Sequence, residues 1–244
     1  MVNVNRENAL MVSTSAPTVL VTGATSGIGQ AIAQGFAESG HVVLAVGIGA
    51  IPAAESKTTY AALDVQDSAA VSALVVPLSD LRVLINAAGI IRREAEHDPA
   101  VFQQVIDVNL NGAMRVCTAA RPVLSANEGA IINIASMLSY FGGGLVARIL
   151  SLEGRHRSAD EIIGHRLCAR RNSGQCAGSR MDRDAITDGL RNDPARSAAI
   201  LGRTPMARWG TPEDLIGPAC FLASPSAAFV TGTILNVDGG YAVM

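Results

Sequence analysis

The stretch Thr22-Gly23-Ala24-Thr25-Ser26-Gly27-Ile28-Gly29 is the first place in this chain where residue types and spacing point to chemistry. A glycine-rich turn that joins a buried strand to a helix brings backbone N–H groups, and the positive end of the helix dipole, up to a phosphate or pyrophosphate. A purely structural turn also needs glycine, and it is the position between strand and helix that favours anion binding. Other reactive residue types are not spaced for comparable work. Cys117, Cys168, Cys176 and Cys220 form no Cys-x-x-Cys pair, and His41, His97, His156 and His165 have no metal-ligand spacing, so no metal site is expected.

The elements that must position this turn follow from hydrophobic pattern. Pro17 to Thr22 is a short apolar run, read as a buried strand, and Ile28, Ala31, Ile32, Gly35 and Phe36 form a helical stripe that Gly40 terminates. Continuous apolar runs at Val42 to Val46, Tyr60 to Leu63, Val83 to Ile85 and Ala130 to Ile134 read as further strands of a parallel sheet covered on both faces. Asp98-Pro99 is an N-cap followed by proline and opens a long helix toward Ala120. Thr211-Pro212-Glu213-Asp214 starts another helix running to about Ala223, and Thr233 to Val237 is a last strand. Residues 1–16 lack periodicity and are expected to be a loose extension to a domain spanning 17–244. Between Ala147 and Ile186 no period holds, and this stretch carries eight of the chain's eighteen arginines.

Composition narrows the function classes. With 244 residues, 49% hydrophobic and 16% charged, the chain has the length and apolar content for one α/β core. A net charge of −2 gives no reason to expect a nucleic-acid partner. The apolar runs fall short of the roughly eighteen residues a membrane span needs, so no membrane partner is expected. Met1 to Pro17 is polar and reads as no signal peptide, so a reducing cytoplasm is the expected compartment.

The spacing T-G-x-x-x-G-x-G, then Leu63-Asp64-Val65, Asn86-Ala87-Ala88-Gly89 and Asp107-Val108-Asn109-Leu110, resembles the short-chain dehydrogenase/reductase family, over residues 18–146 and 188–244. The resemblance implies a doubly wound Rossmann domain that binds NAD or NADP across the carboxyl ends of its strands. Gly23, Ser26, Gly27, Ile28 and Gly29 would hold the pyrophosphate, and Asp64 would accept from the adenine amino group beside Val65. Asn86, Ala87 and Gly89 would line the ribose. Taken singly, Asp64 also reads as a strand-end turn residue and Asn86 to Gly89 as a tight turn. Where the second strand ends, about Gly47, there is neither an acid for a ribose 2′-hydroxyl nor a base for a 2′-phosphate. With no cation at Gly47, Ile48 or Ser26, the preference is for NAD over NADP.

The resemblance also implies chemistry: hydride exchange between nicotinamide and a carbinol or carbonyl carbon of a small keto or hydroxy substrate. A tyrosine would act as general acid/base, with its pKa lowered by a lysine four residues later. Ser136 matches the serine that bonds the substrate oxygen and Asn109 the asparagine that supports a proton relay. Thirteen residues past Ser136, however, stands Ile149, and four further Glu153; the only lysine of the chain is Lys57. Isoleucine exchanges no proton, and a carboxylate raises a neighbouring phenol's pKa. The chain as written is therefore expected to be inactive or severely impaired.

This gap has a form that the genetic code exposes. Ser158 to Leu167 can be encoded so that reading one base later gives Gln-Leu-Thr-Lys-Ser-Leu-Ala-Ile-Ala-Tyr, which resembles the helix that follows the family's catalytic tyrosine. The same offset turns Ala147 to Gly154 into Pro-Ala-Tyr-Ser-Ala-Ser-Lys-Gly, with tyrosine at position 149 and lysine at position 153. It turns Asn172 to Cys176 into Ile-Arg-Val-Asn-Ala, and Met181 followed by Asp182 forces tryptophan. A double frameshift across 147–186 is the reading, with a divergent insertion as the alternative. The written charges there predict a disrupted, poorly packed segment where the family carries a catalytic helix and a central strand, and they oppose the homo-oligomer that the family resemblance implies.

Ile91-Arg92-Arg93-Glu94, Ile131 to Ser139, and Arg208-Trp209-Gly210 resemble the family's sugar-acid branch, the 2-deoxy-D-gluconate and 2-keto-3-deoxygluconate dehydrogenases. Arg92 and Arg93 would form a fork for a carboxylate. Residues Arg203 to Asp214 are expected to be mainly structural. A 3-oxoacyl-type keto-reductase and a non-catalytic dinucleotide-binding or interaction protein remain the alternatives.

Overall fold

The computed structural model describes residues 18–92, 95–136, 173–178 and 191–243. A seven-stranded sheet of order β3-β2-β1-β4-β5-β6-β7 runs through it, with every neighbouring pair parallel. The strands are β1 (Val19–Thr22), β2 (Val43–Gly47), β3 (Thr58–Ala62), β4 (Val83–Asn86), β5 (Ala130–Ile134), β6 (Ser173–Gly178) and β7 (Thr233–Val237). This is the doubly wound α/β arrangement expected from the sequence, with the order reversing between β1 and β4, where such sheets form their ligand crevice.

Alternate residues of β1, β4 and β5 feed two separate cores, which is why these strands read as unbroken apolar runs. Val19, Val21, Val83, Ile85 and Ile132 face one core with Ile32 and Phe36 of α1 (Gly27–Glu38) and Leu222 of α6 (Ile216–Ala223). Leu20, Leu84 and Ile131 face the other with Val71 of α2 (Ser68–Val75) and Val116 and Leu124 of α4 (Ala113–Ala126). Gly35 lets α1 and α6 meet, because a Cβ there would collide with Ile216 Cγ2.

The expected long helix from Asp98 is present with an interruption. Asp98 caps α3 (Pro99–Ile106) through the Ala100 and Val101 amides, and the chain then widens into a π-turn, Asp107–Gly112, before α4. Two helices lay unrecognised in the sequence although their start signals are present. Asp67 caps α2, and Asp193-Pro194 opens α5 (Pro194–Gly202) as Asp98-Pro99 opens α3. Both are short, and α5 buries none of its residues, so neither carries a strong apolar stripe.

Poor packing is the expectation for 147–186, and within that stretch Ser173–Gly178 forms β6, paired from Ile131↔Ser173 to Ile134↔Cys176 on one side and from Gly174↔Thr233 to Gly178↔Val237 on the other. The six residues Ser-Gly-Gln-Cys-Ala-Gly include no Asp, Glu, Lys, Arg or His, so the argument from buried charge does not reach them. A slot between two strands supplies backbone partners on both edges whatever the side-chain period. The N-terminal extension 1–16, Arg93, Ile149 and Glu153 lie outside the described residues.

Candidate active site

The glycine-rich turn leaves β1 at the sheet's carboxyl edge and is locked onto the turn after β4. Thr22 Oγ1 accepts from the Ala87 and Ala88 amides at 3.2 and 3.3 Å. Gly23 has φ +66°, and a Cβ there would lie 2.6 Å from Ala88 Cα and N. A Cβ on Gly29 would run into Gly23 O. These two positions accept no side chain, which brings bare backbone to the start of α1. Ser26, the N-cap, makes no side-chain cap bond, and the first turn of α1 has no acidic residue. An uncapped helix start with a side-chain-free approach fits the pyrophosphate of a dinucleotide.

At the end of β2 a Cβ on Gly47 would meet Thr25 Oγ1 at 2.9 Å, while Thr25 Oγ1 donates to Ile48 O at 3.0 Å. Thr25 thus occupies the space beside Gly47, and Ile48 is 65% exposed. Across the edge, Asp64 is exposed and its Oδ1 accepts from Gln66 N at 2.9 Å. Val65 beside it is buried against Gly112, where a Cβ would lie 2.6 Å from Val65 Cγ2.

Asn86 is 6% exposed and is turned inward. Its Nδ2 donates to Asn133 Oδ1 on β5 at 2.7 Å and to Cys117 Sγ on α4 at 3.2 Å, while its buried Oδ1 has no hydrogen-bond partner among the described residues. The backbone of Asn86 to Gly89, rather than the Asn86 amide, therefore faces the crevice side of Thr22. Sequence reading missed Thr22, Thr25, Cys117 and Asn133. Only the Asn86↔Asn133 register partnership brings those two amides together, and that pairing has no local sequence signal.

Asn109 sits in the π-turn with its amide engaged at both ends: Oδ1 accepts from Ile90 N at 2.8 Å and Nδ2 donates to Ile90 O at 2.9 Å. A π-turn inside a helical run commonly marks a functional position, because the widened turn aims a residue out of register. Ser136 lies just beyond β5 and is 1% exposed. Arg92 is exposed, and its backbone N–H donates to the buried Glu96 Oε1 at 2.7 Å. The side chain of Arg92 thus stands at the post-β4 loop, and Arg93 lies outside the described residues.

One charged pair stands beside the site. Arg115 holds the Asp107 carboxyl below the usual carboxylate range, with Asn111 assisting. Farther away, Arg208 grips Asp214 through two bonds of 2.7 and 2.8 Å and holds its carboxyl low, and Trp209 Nε1 donates to Ser197 Oγ at 3.1 Å. Those contacts fit the structural role expected for Arg203 to Asp214. Among the described residues no group of His, Cys, Asp and Glu could hold a metal ion, and no helix is long and apolar enough to cross a membrane.

Comparison with known proteins agrees with this geometry. The family model described as short chain dehydrogenase matches residues 17–147, and one described as enoyl-(acyl carrier protein) reductase matches 179–242. The chain is 36% identical to 2-dehydro-3-deoxy-D-gluconate 5-dehydrogenase of Pseudoalteromonas atlantica, over 91% of this chain and 94% of the relative. It is 32% identical to a 3-oxoacyl-[acyl-carrier-protein] reductase of Chlamydia muridarum, over 96% of this chain and all (100%) of the relative. Among solved structures, a gluconate 5-dehydrogenase from Burkholderia cenocepacia in complex with NADP and tartrate superposes with a TM-score of 0.83 at 28% identity, over 93% of this chain and 95% of that one. Glycine cradle, sheet order, π-turn and these matches lead to one assignment: the chain belongs to the short-chain dehydrogenase family of oxidoreductases.

Proposed function

We propose that this protein is built to interconvert a secondary alcohol and a ketone on a sugar acid with NAD(P), preferring NAD, and that as written it binds the dinucleotide without turnover. The observation that carries the dinucleotide reading is the uncapped start of α1 beside Gly23 and Gly29, where a Cβ would strike Ala88 or Gly23 O. When bound, the nicotinamide supplies or accepts the hydride. Gly23, Ser26, Gly27, Ile28 and Gly29 hold the pyrophosphate, Asp64 and Val65 border the adenine, and Ala87 and Gly89 present backbone to the ribose. The absence of a cation at Gly47 and Ile48, with Thr25 filling the space beside them, favours a free 2′-hydroxyl.

On the substrate side, Ser136 donates to the reacting oxygen, and Asn109 fixes the loop after β4 through its two bonds to Ile90. Arg92, with Arg93 next in sequence, attracts a carboxylate. The names of the relatives, a 2-dehydro-3-deoxy-D-gluconate 5-dehydrogenase and a gluconate 5-dehydrogenase, support a sugar acid. The second reading, a 3-oxoacyl reductase, is supported by the chlamydial relative. Proton transfer is the missing step, because Ile149 and Glu153 stand where a phenol and an ammonium are needed.

Resequencing the gene across codons 140–190 and assaying two proteins tests this. The chain as written is expected to bind NAD by calorimetry and show no turnover, whereas a version carrying the offset frame through 147–186 is expected to oxidise or reduce sugar acids. General acid–base catalysis contributes about 10²–10⁴ in rate, so the difference is measurable. Faster turnover of a 3-oxoacyl thioester would select the second reading, and a frame-restored protein inactive on every keto and hydroxy substrate would refute the enzyme reading.

A further inference from the structure

A π-turn is a poorer hydrogen-bonding arrangement than an α-helix and persists where its surroundings hold it. The turn Asp107–Gly112 is held on one side by the Asn109 amide on Ile90. On the other side stands Arg115, in the first turn of α4. Its Nη2 donates to Asp107 Oδ1 at 2.6 Å, and its Nη1 donates to Asp107 O at 3.2 Å and, at 3.5 Å, to Val65 O. Asn111 Nδ2 also donates to Asp107 Oδ1, at 3.1 Å. One planar guanidinium therefore joins the first residue of the π-turn, by side chain and main chain, to the carbonyl of the residue that borders the adenine side. Packing reinforces the join, because Gly112 closes the π-turn directly against Val65 Cγ2.

We infer that Arg115 is a positioning residue that fixes the turn carrying Asn109 to the Asp64–Gln66 loop, so that the adenine end and the reacting end of the site share one geometry. The inference rests on the dinucleotide reading of the crevice. Among the described residues Arg115 acts through Asp107 and Val65. The lowered Asp107 pKa agrees, since the anion is the form that the guanidinium holds. A lysine in its place would offer one compact ammonium to three acceptors that the planar fork reaches together.

The test uses the full chain with Arg115→Met, Arg115→Lys and Asp107→Asn. Affinities for NAD and for ADP-ribose are read by calorimetry, thermal midpoints by calorimetric scan, and exchange of the Ile90 amide by mass spectrometry or NMR. Arg115→Met is expected to weaken both nucleotides by about 3- to 30-fold, the span of coupling carried through packed networks. It should also speed exchange at Ile90, which is bonded to Asn109 on the far side of the turn. Arg115→Lys should retain part of both, and adding Asp107→Asn to Arg115→Met should change little, because the pair acts as a unit. A lowered thermal midpoint with nucleotide affinity and Ile90 exchange both within about twofold of the unchanged chain would reduce Arg115 to a stabilising ion pair and overturn the inference. If Arg115→Met does not fold, Arg115→Lys carries the same readouts. If the unchanged chain binds no dinucleotide, the reading of the crevice fails, and Ile90 exchange alone decides the role of Arg115.

Discussion

The sheet from β3 to β5 and its continuation into β6 are built on different information. In β1, β4 and β5 the side chains fill two cores in strict alternation, so each strand would be recognised in isolation. Strand β6 has no such signature: Ser173–Gly178 holds its place by ladder pairing to β5 and β7. A strand with apolar residues on both faces carries its own driving force of about 25 cal/mol per Å² buried. A strand composed of Ser-Gly-Gln-Cys-Ala-Gly has little apolar area of its own to bury and depends more on its neighbours. The proposed nucleotide side should therefore tolerate a change of frame across 147–186 far better than the proposed catalytic side.

The largest expected effect breaks this contrast at its source. Ile149→Tyr with Glu153→Lys in the chain as written supplies the two missing groups without the surrounding frame. It should recover far less activity than the offset frame, because catalysis falls about 10²-fold for an ångström of misplacement. Equal activity of the two proteins in a steady-state assay would show that the written 147–186 segment already forms a competent scaffold.

Next comes the cradle. Gly23→Ala must place a Cβ 2.6 Å from Ala88 backbone at φ +66°. The left-handed conformation alone costs about 1–3 kcal/mol for a residue with a side chain, and the clash adds to it. NAD binding is expected to disappear and the denaturant midpoint to fall; unchanged NAD affinity by calorimetry would contradict the site.

A smaller effect should follow Asn133→Ala. It removes the Asn133 Oδ1 acceptor of Asn86 Nδ2, a group already neighboured by Asn86 Oδ1, which has no partner among the described residues. Leaving a buried donor less satisfied costs about 1–3 kcal/mol, readable in denaturant unfolding, with cofactor affinity less affected than in Gly23→Ala.

The smallest effect is acid dependence. Asp107 and Asp214 both have lowered pKa values in the fold, chiefly through bonds from Arg115 and Arg208. For a depressed carboxyl, the stability is present above the unfolded pKa and is lost as pH falls through the folded one. Stability should thus decline below about pH 4, and Asp107→Asn and Asp214→Asn should each flatten that decline. A pH–stability profile unchanged by both substitutions would mean that these pairs are neutral, as many partly exposed ion pairs are.

The sequence by itself determined the apolar strands, the glycine turn and the capped helix starts, because each depends on residues near one another along the chain. Asp98 and Pro99 announce α3 within two residues, and Gly23 to Gly29 announce the cradle within seven. It also carries the proposed chemical gap, since Ile149 and Glu153 offer neither a phenol nor an ammonium. Tertiary structure alone decided the inward turn of Asn86 toward Asn133 and Cys117, the widening of a continuous helix at Asp107–Gly112, and the placing of β6. Each of these rests on partners 19 to 59 residues away, Asn109 on Ile90 at the near end and Gly174 on Thr233 at the far end. A hydrogen bond between distant residues leaves no periodicity in either segment, so its partners become legible only when the sheet brings them together.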